Sequence, residues 1–300
     1  VSSTPAAEVP ASPDPTPNDP ASGVPDSKID ASVLTGVSET ALMTLLVRAN
    51  EARRPDALID DPMAIRLVDS IDFDWAKFGP SRRQDMAIRS LAFDEQTRRY
   101  LADHPRATVV ALAEGLQTSF HRLDAAGVGH EFRWLTVDLP PMIDLRRKLL
   151  PPSERVRMVA QSALDFSWMD KVDTDHGVFV TAEGLLMYLQ PAEALGLIAA
   201  CAQRFPGGRM MFDLPPTWFA KSAGRGLLRP SLRYRVPPMP FAMSPARLAR
   251  LVDEVPGIRA VHDIPFPAGR GRLVNTMTWA VQRIRLFDSL RPTFTLLEFG

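Results

Sequence analysis

The stretch ATVVALAEGLQT at residues 107–118, followed by FRWLTVDLP at residues 132–140, decides the fold. In the first, an apolar run with β-branched residues ends in Glu114-Gly115; in the second, another apolar run ends in Asp138. The first run is short enough to be a strand buried on both faces, and Glu114-Gly115 marks a turn where a ligand can approach the backbone closely. Asp138 sits at the tip of the next strand, where a carboxylate can accept both hydroxyls of a ribose. A dinucleotide fingerprint, G-x-G-x-x-G, is missing, because Ala113 and Thr118 occupy the glycine positions around a single Gly115. A pyrophosphate then has no seat, and the pattern suits a nucleoside without one.

Outward from this stretch, strand candidates at residues 108–112, 132–137, 157–160, 177–182 and 209–212 alternate with helical stretches at 116–126, 141–150 and 192–205. Such alternation implies right-handed crossovers and a doubly wound α/β core, mostly parallel and covered on both faces. Ligands of these sheets bind at the carboxyl ends of the strands. The exits to read for chemistry are Glu114-Gly115, Asp138, Ser162 to Asp165, Glu183-Gly184 and Asp213. Upstream, Ala41, Leu42, Leu45, Leu46 and Ala49 make one helical face, a second helix starts near Asp61-Pro62 with the aspartate as cap, and a third runs over residues 84–101. Downstream, residues 214–258 lack a clean period and read as a cap, followed by a strand near 260–264, a helix over 273–287 and an antiparallel strand over 292–299. Residues 1–30, rich in Pro, Ala, Ser and Asp, read as a disordered tail. The remainder, 31–300, reads as a single domain: N-terminal helices at 31–106, a ligand-binding core at 107–213, the cap at 214–258 and the last helix and strands at 259–300.

At 300 residues and 45% hydrophobic the chain can bury a sizeable core, and 35 basic against 35 acidic residues give no charge argument for nucleic acid or an anionic membrane. The single cysteine, Cys201, excludes an intramolecular disulfide and sits on an apolar helical pattern that suits core packing. Its presence alone fits a reducing compartment. No run is apolar enough to span a membrane and the N-terminus lacks a secretory signal, so a cytoplasmic enzyme is the expectation. The five histidines show no metal-ligand spacing, and no metal is expected.

Several blocks carry a resemblance: TALMTLLVRANE at 40–51 with DDPMA after it, ALAEGLQTSFHRL at 111–123, WLTVDLPPMIDLRRKLLP at 134–151, VTAEGLLMYLQP at 180–191 and FPAGRG at 266–271. Together they resemble the leucine carboxyl methyltransferase family, nearest its bacterial branch of tetracenomycin-type polyketide O-methyltransferases. The resemblance implies a class I, Rossmann-like methyltransferase with a seven-stranded sheet. It implies S-adenosylmethionine as methyl donor, S-adenosylhomocysteine as product, and methylation of a carboxylate or hydroxyl oxygen on a small molecule, in secondary metabolism. Position by position it implies that Ala113, Glu114 and Gly115 lie under the methionine part of the cofactor. Asp138, with Leu139, would hold the ribose, and Ser162, Ala163, Leu164 and Asp165 would border the adenine. Glu183 would stand near the cofactor amino group and the reaction centre, Arg89 would grip its carboxylate, and Arg48 would be a second basic residue in that wall.

Displacement at a sulfonium needs no metal and no covalent intermediate; orientation of the reactants supplies most of the acceleration. A carboxylate acceptor needs no base, whereas a phenol or alcohol benefits from one. Tyr188 is either a hydroxyl offered to substrate, making it a catalytic candidate beside Glu183, or a core tyrosine. His121 and His262 are the histidines to weigh as bases, each against a plain structural role. Trp218, Phe219 and Tyr234 either line a pocket for a planar acceptor or form the small core of the cap. The loop Gly269-Arg270-Gly271-Arg272 either attracts an acidic substrate or is a basic surface loop. The family turn reads L-G-x-G, and alanine at 113 penalises a positive φ. That departure leaves a degenerate, non-catalytic binder as the rival reading, with a nicotinamide oxidoreductase as a third.

Overall fold

The structure, a computed structural model, describes residues 28–80, 83–284, 288 and 290–300. Residues 1–27 of the expected tail and residues 285–287 of the expected last helix lie outside the described residues. Two short strands, β1 (Ile29–Asp30) and β2 (Ile71–Asp72), pair in parallel, which puts residues 29 and 30 of the expected tail in a strand. Between them run α1 (Thr40–Ala52) and α2 (Pro62–Ser70). Asp61 caps α2 by accepting a hydrogen bond from Ala64 N, with Pro62 in the first turn. The long α3 (Asp85–Asp103) then leads into the sheet.

The sheet strands are β3 (Thr108–Leu112), β4 (Arg133–Asp138), β5 (Val156–Ala160), β6 (Val178–Ala182), β7 (Arg209–Leu214), β8 (Ile258–Asp263) and β9 (Thr293–Phe299). They form one seven-stranded sheet in the order β5-β4-β3-β6-β7-β9-β8, parallel except that β9 runs against both of its neighbours. From β3 the chain winds outward to β4 and β5, then crosses back to β6 on the other side. The carboxyl ends of β3 and β6 therefore face the crevice of a topological switch point.

The central strands β3 and β6 are buried along their whole length because both faces are covered, whereas the edge strands β5 and β8 are partly exposed. The period of two sends Val110 and Leu112 into one core and Val109 and Ala111 into the other. The larger core takes α1, α5 (Pro140–Leu149) and α6 (Pro191–Arg204) through residues such as Leu45, Leu145 and Ile198. Cys201 is fully buried there, and burial pushes its thiol well above its ordinary value, which leaves it an inert packing residue. The smaller core takes α3 and α4 (Ser119–Ala125) through Phe93, Tyr100 and Phe120.

The sequence pattern starts α4 at residue 116, three residues too early. The carbonyls of Gly115 and Gln117 accept from Arg146 Nη1 at 2.7 and 3.0 Å, and that of Leu116 accepts from Arg48 Nη2 at 2.7 Å. Those carbonyls are therefore turned to side chains instead of a helical ladder. After β7 come α7 (Thr217–Gly224), an irregular stretch at 225–244, and two single-turn helices, α8 (Pro245–Ala249) and α9 (Leu251–Glu254). The last helix, α10, covers Arg272–Arg283. Among the described residues no helix is long and apolar enough to cross a membrane.

Candidate functional site

The turn after β3 is built on a strained backbone. Ala113 has φ +48° and is the only non-glycine residue with positive φ among those described; its N–H donates to Val137 O at 2.7 Å. Gly115, at φ +58°, would be strained by any side chain, and a Cβ there would press on Ala41 Cβ at 3.0 Å. Asp138 fixes the turn from the neighbouring strand: Oδ2 accepts from Gly115 N and Oδ1 from Leu139 N, each at 2.7 Å. Burial pushes the Asp138 carboxyl above its ordinary value, against the opposing pull of those two N–H groups. Each oxygen still has an acceptor position left for a ligand in the cavity that Asp138 lines.

Beneath the turn lies a buried ionic network that no sequence pattern assembled. Asp61 accepts from Arg48 at 2.6 Å and Arg122 at 2.9 Å, and Thr118 Oγ1 lies 2.8 Å from both of its oxygens. Burial alone would raise Asp61, yet Arg48 and Arg122 outweigh it and hold the carboxyl below its ordinary value. Arg122 reaches Asp94 at 2.6 Å, while Arg146 pairs with Glu114 at 2.9 Å. Glu114 also accepts from Thr136 Oγ1 at 2.6 Å and Trp134 Nε1 at 3.3 Å. Its carboxylate thus braces the turn against β4 and α5. Arg48, 1% exposed, lies in this network and not in the cavity wall where the family comparison by motif had put it. The one signal in the sequence is its place on the buried stripe of α1, beside Leu45 and Ala49.

At the exit of β6, Glu183 Oε1 accepts from Gln117 Nε2 at 2.6 Å and Arg89 Nε at 2.8 Å, with Ser90 Oγ at 3.4 Å. Asp213, at the end of β7, accepts from Gly184 N at 2.6 Å and stands 3.6 Å from Arg89 Nη1. Burial would lower the Arg89 guanidinium, but Asp213 and Glu183 more than reverse that and keep it charged. Burial raises Asp213. Gly184, at φ +68°, leaves room for the arginine: a Cβ would sit 3.1 Å from Arg89 Nη1. One cation is thereby held between two carboxylates, and no hydrogen bond from a described residue occupies its Nη2. Gln117 and Ser90 were not picked out from the sequence, since neither stands at a strand exit.

Arg89, Gln117, Asp138, Glu183 and Asp213 line one cavity of about 850 Å³. Single-ligand pockets span roughly 300–1,000 Å³. Ala113, Glu114, Gly115, Asp138 and Leu139 border one end, joined by Ser162, Ala163 and Leu164. Asp165 does not line it; its carboxylate is exposed and caps the following helical turn by accepting from Ser167 N at 3.2 Å. That local Asx-type bond turns the side chain away. The other end is apolar, with Met187, Leu214, Phe219, Val236, Met239 and Phe294 among its walls. Tyr188 and Tyr234 line it too. Burial raises the Tyr188 hydroxyl, partly opposed by Arg89 and by a bond with Thr40.

Several candidates fall elsewhere. Trp218 is 49% exposed and bonds Leu290 O at 3.4 Å instead of lining the cavity. His121 is pushed down to about 4 by burial and Arg146, and His262 lies on β8 opposite Leu296, its Nε2 3.6 Å from Glu298 Oε1; neither borders the cavity. Arg270 pairs with Glu51 and Asp56, and its N–H donates to Gln84 Oε1 at 2.7 Å, so its loop is latched to the N-terminal helices.

Known proteins resemble this chain in sequence and in fold. A solved candidate methyltransferase from Thermobifida fusca superposes with TM-score 0.54 at 15% identity, over 94% of this chain and 98% of that one. A DUF574 family protein from Streptomyces avermitilis superposes with TM-score 0.53 at 15% identity, over 87% and 97%. In sequence, the tetracenomycin polyketide synthesis O-methyltransferase TcmP of Streptomyces glaucescens is 32% identical over 89% of this chain and 97% of its own. The S-adenosyl-L-methionine-dependent methyltransferase dpfgK of Gibberella zeae is 30% identical over 61% of this chain and 67% of its own. The leucine carboxyl methyltransferase family model matches residues 41–202. The chain belongs to the leucine carboxyl methyltransferase family and is an S-adenosylmethionine-dependent O-methyltransferase.

Proposed function

We propose that the acceptor is an aromatic carboxylic acid of the polyketide type and that the oxygen methylated belongs to its carboxylate. The observation that carries this reading is the character of the acceptor end of the cavity: apolar and aromatic walls, while the carboxylates that line the cavity, Asp85, Glu114, Asp138, Glu183 and Asp213, are each already engaged by an arginine or by backbone N–H groups. Glu183 already accepts from Arg89 and Gln117, Asp213 from Gly184 N, and Asp138 from two backbone N–H groups. Tyr188 holds its proton more tightly than an ordinary tyrosine. A carboxylate is already ionised at neutral pH and needs no base, whereas a phenol would have to lose a proton during the reaction. The name of the relative similar over nearly its whole length, a polyketide O-methyltransferase, supports the class of acceptor.

S-adenosylmethionine, when bound, supplies a methyl group on a sulfonium that an oxygen nucleophile displaces in line. The residues present fit it. Asp138 would take the ribose hydroxyls on its remaining acceptor positions, between Leu139 and the turn at Ala113, Glu114 and Gly115. Ser162, Ala163 and Leu164 would border the adenine. Arg89 would grip the carboxylate of the amino-acid part and Glu183 its ammonium, which explains why an arginine is held between two acids here. The apolar walls exclude water from the acceptor end and fix a flat ring system against the donor; positioning of this kind supplies a large share of the barrier reduction.

The test is a methyl-transfer assay with a matched panel of naphthoates and naphthols, products separated by mass spectrometry and alkaline lability. Methyl esters from the naphthoates, with naphthols inert, are expected. Methylation confined to the naphthols would overturn the carboxylate reading while leaving the methyltransferase assignment intact.

A further inference from the structure

Two residues in the wall of the acceptor chamber carry buried polar atoms without a hydrogen-bond partner: Tyr234 Oη and Gln282 Nε2. A tyrosine hydroxyl shut away from water normally finds a partner, and one left alone costs about 1 to 3 kcal/mol. Tyr234 is 4% exposed, and its ring is held edge-on by Phe78, centroids 4.9 Å apart at 82°. Phe78 in turn lines a neighbouring pocket of about 380 Å³ that shares Met43, Phe219 and Val236 with the main cavity. Tyr234 therefore stands in the outer partition of the chamber, while Asp138 and the turn after β3 form its inner end. The packing of the ring accounts for an aromatic side chain at this position. It does not account for the hydroxyl, which phenylalanine would dispense with at no loss of a protein hydrogen bond.

We propose that Tyr234 is a specificity-determining residue whose hydroxyl donates to an oxygen substituent on the acceptor's ring frame, remote from the methylated carboxylate, with the Gln282 amide as a second polar contact. The ligand class is thus an aromatic acid bearing at least one hydroxyl or carbonyl oxygen at its far edge. The site then rejects an acceptor lacking that oxygen, because binding it leaves the hydroxyl buried and unpaired. This inference rests on the aromatic-carboxylate reading above.

The experiment compares 2-naphthoate with 6-hydroxy-2-naphthoate, binding measured by calorimetry on protein saturated with S-adenosylhomocysteine, for wild type and Tyr234→Phe. Wild type should favour the hydroxylated probe by about 2- to 12-fold, the worth of one net hydrogen bond. Tyr234→Phe should erase that preference, leave S-adenosylhomocysteine affinity unchanged and melt at the same or a higher temperature. A variant that keeps the preference, or that melts lower than wild type, overturns the assignment and makes the hydroxyl structural. Failure of both naphthoates to bind while S-adenosylhomocysteine binds also overturns it, through the acceptor class. Loss of S-adenosylhomocysteine binding by wild type would instead strike at the cofactor site itself.

Discussion

The two ends of the cavity are held in different ways. At the inner end, the turn after β3 is fastened by charged groups that face one another: Asp138 to two backbone N–H groups, Arg146 to Glu114 and two carbonyls, Arg48 and Arg122 to Asp61. At the outer end, side chains from α1, α7, α10 and the irregular stretch 225–244 meet mainly through apolar surface. On the function proposed above, the difference follows from what each end has to recognise. A nucleoside donor is the same molecule every turnover and rewards a rigid frame, because preorganised groups lose little on binding. An acceptor is recognised by shape and a few polar points, and apolar walls can be rearranged by substitution without exposing a buried charge.

The largest expected effect comes from breaking the inner frame. Asp61→Asn leaves Arg48 and Arg122 facing an amide in a site fully shielded from water, and unfolding in urea should show a loss of about 3 to 5 kcal/mol. The sign of its pH dependence is fixed by the direction of the shift. Asp61 lies below its ordinary 3.8 in the folded protein, so its contribution is complete above that value and fades as the pH falls through the lower folded value. The gap between wild type and variant should therefore be flat from about pH 5 to 8 and narrow in more acidic solution. A gap that widens on acidification would show that the network is not held by that carboxylate.

Asp138→Ala should come next. It removes the acceptors proposed for two ribose hydroxyls, each bond to a charged group being worth about 1.5 to 3 kcal/mol, and calorimetry should register a fall of about 100-fold or more in S-adenosylhomocysteine affinity. Affinity within about threefold of wild type would mean that Asp138 only pins Gly115 and Leu139. The smallest effect belongs to Ala113→Gly. Relief of the left-handed alanine is partly offset by the greater freedom of glycine in the unfolded chain, so a gain of at most about 1 kcal/mol in urea stability is expected. A loss of stability would show that the methyl group is packed usefully and that the turn stores no strain.

Much of the sheet was readable in advance because its strands announce themselves locally. The run at Thr108–Leu112 was bounded by its composition alone, and the strand exits at Asp138 and Glu183 follow from where the apolar runs stop. Helix α4 was misplaced because its start is set by arginines 31 and 68 residues away from the carbonyls they take, which no window of sequence contains. The resemblance puts Asp165 at the adenine and the sequence leaves Trp218 between pocket wall and cap core, but a local bond to Ser167 and a long-range one to Leu290 hold the two outside the cavity.

The amino-acid sequence by itself determined the order of the main strands and helices, the doubly wound sheet and the strand exits that border the cavity, since hydrophobic period and turn chemistry act over a few residues. Tertiary structure decided which charges are buried against which, as with Arg48 and Thr118, 70 positions apart, and which distant segments close around the acceptor. The physical reason is the reach of the forces involved. Burial patterns repeat along the chain and can be counted, whereas the partner of a buried charge and the shape of a cavity are set by contacts that exist only once the elements have packed.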